Sequence, residues 1–153
     1  MNRDDILPHI LHLPDDESIL RQVSDPVEPD DDWKGLLTRL EFAMVTSKIP
    51  GVGLSAIQIG IPARCFIALI KGHLTPFINP VITRSWGSYE AEEEACLSCS
   101  GKVVKVQRWG SIQIKPLQFE GKESPLVEFH GFEARIIQHE MDHLDGKLIV
   151  DKE

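Results

Sequence analysis

His139 and His143 stand four residues apart with Glu140 between them, in the pentad His139-Glu140-Met141-Asp142-His143. An α-helix brings positions i and i+4 onto one face, one turn apart, so the pentad demands a helix if the two imidazoles act together. So placed, they can reach one metal ion, and Glu140 can meet a water on that ion without being a ligand. A chain of this composition produces the pattern by chance roughly 0.02 times. Phe132, Ile136, Ile137 and Leu144 supply an apolar stripe to hold such a helix against a core. The bland alternative is a pair of surface histidines on a polar stripe.

That helix needs a body to pack on. A chain of 153 residues reads as one domain spanning 1–153, below the length at which cores divide. The hydrophobic share of 42% and charged share of 26% are those of a soluble globular protein. The longest purely apolar run, Cys65 to Ile70, falls far short of the roughly 20 residues of a membrane span. Acidic residues outnumber basic ones 24 to 16, for a net charge of −8, which argues against direct nucleic-acid binding. The N-terminus, Met1 to Pro8, is acidic and lacks the apolar region of a secretory signal. Three cysteines are too few for a disulfide framework, and a reducing cytoplasm is expected.

Residues 1–29 read as an irregular arm with an apolar stretch from Ile6 to Leu13. Asp30-Asp31-Asp32 then precedes Trp33, Leu36, Leu37, Leu40, Ala43 and Met44, a spacing that predicts a capped helix from Trp33 to about Ser47. Pro50 and Gly51 end it. Arg64–Ile70 reads as a strand buried on both faces, and Phe77–Ile82 as another with Pro80 marking an edge or bulge. Val103–Val106, Ser111–Phe119 and Leu126–Phe129 read as short strands, with a hairpin turn at Gly121 between the last two. A second helix runs from near Phe132 to Gly146, and His9, His12, His73 and His130 fall in expected loops. Without βαβ alternation, the expected class is α+β, with short antiparallel or mixed sheets packed around a central helix carrying the pentad.

Two histidines do not complete a catalytic metal site, which takes three protein ligands and keeps a position for water. Cys65, Cys96, Cys99 and several acids are candidates for the third. Cys65 sits in an apolar strand and reads as a small core residue. Cys96-Leu97-Ser98-Cys99 admits a redox pair, a closed Cys2His2 structural site, or a single ligand from Cys96. Spacing does not choose among these, although a glutamate between the histidines has no use in a closed site. An extended segment would point Cys96 and Cys99 to opposite faces, and the absence of glycine between them favours that divergence.

Three segments together resemble the peptide deformylase family. Its Gly-x-Gly-φ-x-x-x-Gln segment matches Gly51-Val52-Gly53-Leu54-Ser55-Ala56-Ile57-Gln58, and its Glu-Gly-Cys-Leu-Ser segment matches Glu94-Ala95-Cys96-Leu97-Ser98 with one departure. Its His-Glu-x-Asp-His segment matches His139–His143 in full; Ile10–Asp15 and Ile78-Asn79-Pro80 are also similar to family stretches. The departure is Ala95, where the family has glycine. Ten residues follow His143, where typical bacterial members continue into a helix implicated in ribosome docking; the expectation is a short form similar to bacteriophage deformylases.

The resemblance implies a hydrolase that removes the N-formyl group from the initiating methionine of nascent polypeptides and releases formate. Cys96, His139 and His143 would hold the metal, and a water on it would attack the formyl carbon. Glu140 would take the water's proton and return it to the departing amine. Gln58, which on the residues alone reads as a surface side chain after a loop, would donate its amide to the formyl oxygen with the Leu97 backbone N–H. Val52, Gly53 and Ala95 match positions along which substrate lies as an added strand, and Val52, Phe132 and Ile136 would line the methionine pocket. Asp142 is placed to pair with a base such as Arg108. The family implies Fe²⁺; the ligand chemistry alone reads as Zn²⁺, and another divalent transition metal is admissible. The expected partners are formylmethionyl peptides, with a transient ribosome contact left open, and the expected state is a monomer in a bacterial or phage-infected cytoplasm. The rival readings are a non-catalytic peptide binder, a structural zinc protein, and a zinc peptidase.

Overall fold

A computed structural model of the chain describes residues 8–119 and 122–153. In chain order the elements are α1 (Glu17–Leu20), α2 (Trp33–Val45), β1 (Gly53–Ser55), β2 (Cys65–Ile70), β3 (His73–Ile78), β4 (Val81–Glu94), β5 (Val104–Lys115), β6 (Gln118–Phe119), β7 (Lys122–Glu123), β8 (Val127–His130) and α3 (Gly131–Leu144). Short 3-10 turns follow β1 at Ala56–Ile59 and α3 at Ile149–Lys152. The start of the expected arm and the turn expected at Gly121 lie outside the described residues.

The Asp32 carboxylate accepts a hydrogen bond from Gly35 N at 3.0 Å and caps α2, as the aspartate cluster predicts. Leu36, Leu40, Ala43 and Met44 bury one face of that helix against Leu54 and Ile67 of β1 and β2. The sheets run β1-β2-β3 and β4-β5-β8, with β6 and β7 as a separate pair. Their ladders are antiparallel; parallel pairing among the described residues is confined to the isolated bridges Asp25–Ala63 and Ile78–Leu117, so no mixed sheet forms. The class is α+β. Helix α3 touches both larger sheets, and its Ala134, Ile136, Ile137 and Leu144 pack with Phe66 and Phe77 on one side and Ile112 and Ile114 on the other.

Three expectations change. The run Phe77–Ile82 divides, because Asn79 adopts φ 49° and forms a corner between β3 and β4. Its Oδ1 accepts from Val27 N, and its Nδ2 donates to Val27 O and Gln118 O, at 2.7–2.8 Å. The segments Val103–Val106 and Ser111–Phe119 become the single strand β5 plus β6, since β4 pairs along nearly all of β5. The second half of β4, Tyr89–Glu94, has no strand signature in its acidic residues. Cross-strand pairing with β5 holds it, with Glu90 opposite Arg108 and Glu93 opposite Lys105. His73 and His130 accordingly lie in strands rather than loops.

After α3 the chain turns at Gly146, whose φ of 71° and close approach to the Arg21 carbonyl leave no room for a side chain. Leu148 then packs on Leu11 and Leu20, and Ile149 on Cys96 and Cys99. No helix among the described residues is long and apolar enough to cross a membrane.

Candidate metal centre and catalytic cleft

Helix α3 delivers His139 and His143 one turn apart, their ring centroids separated by 5.1 Å. The end of β4 delivers Glu94, and the turn after it delivers Cys96. Among the described residues, the ligand atoms of Cys96, His139 and His143 gather within 4.8 Å of one another. The Cys96 Sγ and His143 Nε2 are 3.4 Å apart. His139 Nδ1 lies 2.9 Å from Glu94 Oε1; an ionised carboxylate only accepts, so Nδ1 carries a proton and Nε2 is the nitrogen left to face a metal.

Glu94 is ionised despite its burial. Burial pushes its pKa up, but hydrogen bonds from His139 and Arg108 outweigh that and hold it at about 2. Arg108 reaches it with Nε and Nη2 at 3.0 Å, and Arg135 with Nη1 at 2.9 Å. Arg108 also donates to Asp142 at 2.5 Å, so the predicted Asp142 pairing forms, and Arg108 ties the α3 pentad to β5. His143 is kept neutral, first by burial and then by the charges of His139 and Arg108.

Glu140 is buried beside this cluster, and burial raises its carboxyl above the usual range. Ser55 Oγ donates to its Oε2 at 2.7 Å. On the Oε1 side the neighbour is Gly53, where a Cβ would come within 2.8 Å of that oxygen. Gln58 is buried rather than at the surface, at 1% exposure. Its Oε1 accepts from Ser55 N at 2.9 Å, while Nε2 donates to Ser98 Oγ at 3.0 Å and makes a long contact of 3.7 Å to Cys96 Sγ.

The residues present fit a metal ion. Two imidazoles and a thiol converge, and one imidazole is oriented by a carboxylate through its other ring nitrogen. Hydrogen bonding to Cys99 and then burial push the Cys96 thiol up, and burial pushes Glu140 up. A divalent cation among them would ionise the thiol that holds it and oppose, without removing, the effect of burial on Glu140. Cys99 is not in the converging group, so the closed Cys2His2 arrangement is not formed among the described residues.

A family model described as polypeptide deformylase matches residues 7–153. The chain belongs to the polypeptide deformylase family. The peptide deformylase of Rhizobium meliloti (strain 1021) is 38% identical over 148 residues, covering 93% of this chain and 82% of that one. The crystal structure of peptide deformylase from Thermotoga maritima superposes with a TM-score of 0.84 at 34% identity, over 95% of this chain and 96% of that one. A class I type b peptide deformylase from Acinetobacter baumannii, solved with Met-Ala-Ser bound, superposes with a TM-score of 0.83 at 27% identity, over 97% and 99% of the two chains. As a member of this metallohydrolase family, the chain is an enzyme.

Against the deformylase motifs, the cleft beside the metal group collects the expected residues. Val52, Gly53, Ala95, Leu97, Phe132 and Ile136 line it together with Gln58, Cys96, His139 and Glu140. Ile136 is also core, buried with Ala134 and Ile137, whereas Phe132 is 64% exposed and Val52 40%. The expected divergence of the two cysteines is overturned. Cys99 N donates to Cys96 O at 3.0 Å, closing a tight turn that brings the two thiols close enough to shift one another's pKa. Among the described residues the left-handed non-glycines are Lys71 and Asn79, so this turn needs no glycine. Sequence reasoning missed Ser55 and Ser98, and took Glu94 only as a motif letter. All three lie inside the deformylase-like segments, where each polar position could have been asked for its partner.

Proposed function

We propose that the chain removes the formyl group from the N-terminal methionine of nascent polypeptides, releasing formate. One observation carries the reading: Glu140, raised by burial and held by Ser55, lines one cleft with Cys96 and His139, whose ligand atoms gather with that of the buried His143. Fe²⁺ held by those three residues, or Zn²⁺ or another divalent metal in its place, would supply a Lewis acid and lower the pKa of a water toward about 7.

The chain's own residues do the rest. Ser55 occupies Glu140 Oε2, which leaves Oε1, on the Gly53 side, to take the proton of the attacking water and pass it to the departing amine. A raised carboxyl pKa suits a group that both accepts and returns a proton near neutral pH. Gln58 Nε2 can spare the hydrogen now directed at Cys96 Sγ, its weakest contact, for the formyl oxygen, with the Leu97 N–H as second donor. Strand β1 is the edge of its sheet, and Gly53 lines the cleft, so substrate backbone can add alongside Val52, Gly53 and Ala95. The methionine side chain would rest on Val52, Phe132 and Ile136. The peptide bound to the Acinetobacter deformylase, Met-Ala-Ser, has the form of the product expected here.

In this reading residues 1–153 act as one catalytic domain, a monomer in the cytoplasm. The test is formate release from formyl-Met-Ala-Ser, with bound metal quantified in the same preparation. Release that scales with one metal per chain supports it. Peptide binding without formate would make the chain a non-catalytic peptide binder.

A further inference from the structure

Cys99 has no part in the chemistry above, yet it is built against a residue that does. The turn closed by Cys99 N and Cys96 O, at 3.0 Å, holds the two Cα atoms under about 7 Å apart. A disulfide spans about 4.4–6.8 Å between Cα atoms, so the pair needs little backbone movement to join. The two cysteines share a buried cluster with Val104, Val106 and Ile149. Cys96 lines the cleft and Cys99 lies behind it, which puts Cys96 first in the path of a small reactant. The third thiol, Cys65, is fully buried in β2 and pushed up to about 12 by burial, which makes it inert.

We propose that Cys96 and Cys99 form a peroxide-sensitive pair whose disulfide withdraws the sulfur ligand from the metal site and whose reduction restores it. The inference rests on the reading of Cys96 as a metal ligand. The Cys96 thiolate attacks one oxygen of hydrogen peroxide; the S–O bond forms, the O–O bond breaks, and hydroxide leaves. The Cys99 thiolate attacks the resulting sulfenic sulfur; the S–S bond forms, the S–O bond breaks, and a second hydroxide leaves. The Cys99 thiol proton and one proton from solvent convert both hydroxides to water, since a metal-held Cys96 enters as its thiolate. Two electrons pass from the sulfurs to peroxide, and a dithiol reductant returns them. A sulfenic acid beside a second thiol is resolved before it climbs to the irreversible sulfinic state.

The test treats the metal-loaded protein with hydrogen peroxide and reads intact mass, alkylation of each cysteine under denaturing conditions, and metal content. The expected result is loss of two hydrogens, protection of Cys96 and Cys99 with Cys65 still alkylated, and metal release in step. Dithiothreitol then restores the mass and metal uptake. Cys99→Ser, with Cys99→Ala as a second variant, keeps metal before treatment, but its Cys96 gains two oxygens and dithiothreitol does not recover it. Parent protein whose Cys96 gains oxygens while Cys99 still alkylates overturns the pairing. A disulfide that forms while the metal stays leaves the pairing intact, but overturns the switch and the ligand role of Cys96 with it.

Discussion

His139 Nδ1 is held 2.9 Å from Glu94 Oε1, so a carboxylate 45 residues away in the chain decides which imidazole nitrogen faces the metal site. Glu94→Gln keeps an acceptor but loses the charge that His139, Arg108 and Arg135 share. Metal affinity should fall about 10- to 100-fold, measured by titration against a chelating indicator. Glu94→Ala should also lower stability by about 1–3 kcal/mol, since two buried arginines lose a shared carboxylate while Arg108 keeps Asp142 and Arg135 keeps Glu92. Unchanged affinity in both variants would remove Glu94 from the orientation of His139.

Glu140→Gln should keep the fold and the metal while losing turnover. The amide is nearly isosteric and retains the oxygen that Ser55 can reach, but it cannot accept a proton from water. The expected loss is about 10²–10⁴-fold in formate release, the usual contribution of a positioned base. A variant retaining more than about a tenth of the parent rate would take Glu140 out of that role.

Gly53→Ala tests the other side of the same carboxylate. Its Cβ would meet Glu140 Oε1 at 2.8 Å and Cγ at 3.0 Å, so the carboxylate must move. Turnover should drop by about tenfold or more, because small displacements of a reacting group are costly. Metal content and melting temperature should stay close to the parent's. Full activity would mean that Glu140 relocates without penalty.

Ala95→Gly changes a cleft-lining position that is exposed. One methyl in a closed pocket is worth about 1–3 kcal/mol, and the exposed backbone here has room to adapt, which puts this position at about 1 kcal/mol. The change in kcat/KM on formyl-Met peptides should therefore stay at about tenfold or less. A larger gain, greatest for bulky residues after methionine, would identify Ala95 as a steric brake on the cleft.

Arg21 grips both oxygens of Asp151, at 2.8 and 3.1 Å, and ties α1 to the turn after α3. Its hydrogen bond is the main cause that holds the Asp151 pKa below the usual value. The stability this contributes is present above the unfolded aspartate pKa of about 3.9 and is lost as pH falls through the lower folded value. Both side chains are more than a third exposed, so solvent screens the pair to less than about 1 kcal/mol. Arg21→Ala should therefore lower Tm slightly between pH 5 and 8 and match the parent near pH 2, as read by thermal melts across that range. A Tm gap that persists at the acid end would assign the effect to packing.

The parts of the molecule written in its local pattern are those in which neighbours along the chain touch. The spacing of His139 and His143 and the stripe through Ile136, Ile137 and Leu144 describe one helical face, and α3 follows from them. Asp32 ahead of Trp33 states its own cap, and the hydrophobic run Cys65–Ile70 states a strand buried on both sides. Tertiary structure alone decided what depends on distant partners. Glu90–Glu94 become strand because β5 lies alongside, and Asn79 breaks a plausible strand because Val27 and Gln118 claim its side chain. Gln58 is buried because Ser98 answers it from 40 residues away. Cys99 turns toward Cys96 because the Cys96 carbonyl takes its N–H and Ile149, from the end of the chain, packs over both. A periodic pattern records which face of an element is apolar, but the partner that fills a polar group's hydrogen bonds is chosen only when the chain has closed on itself.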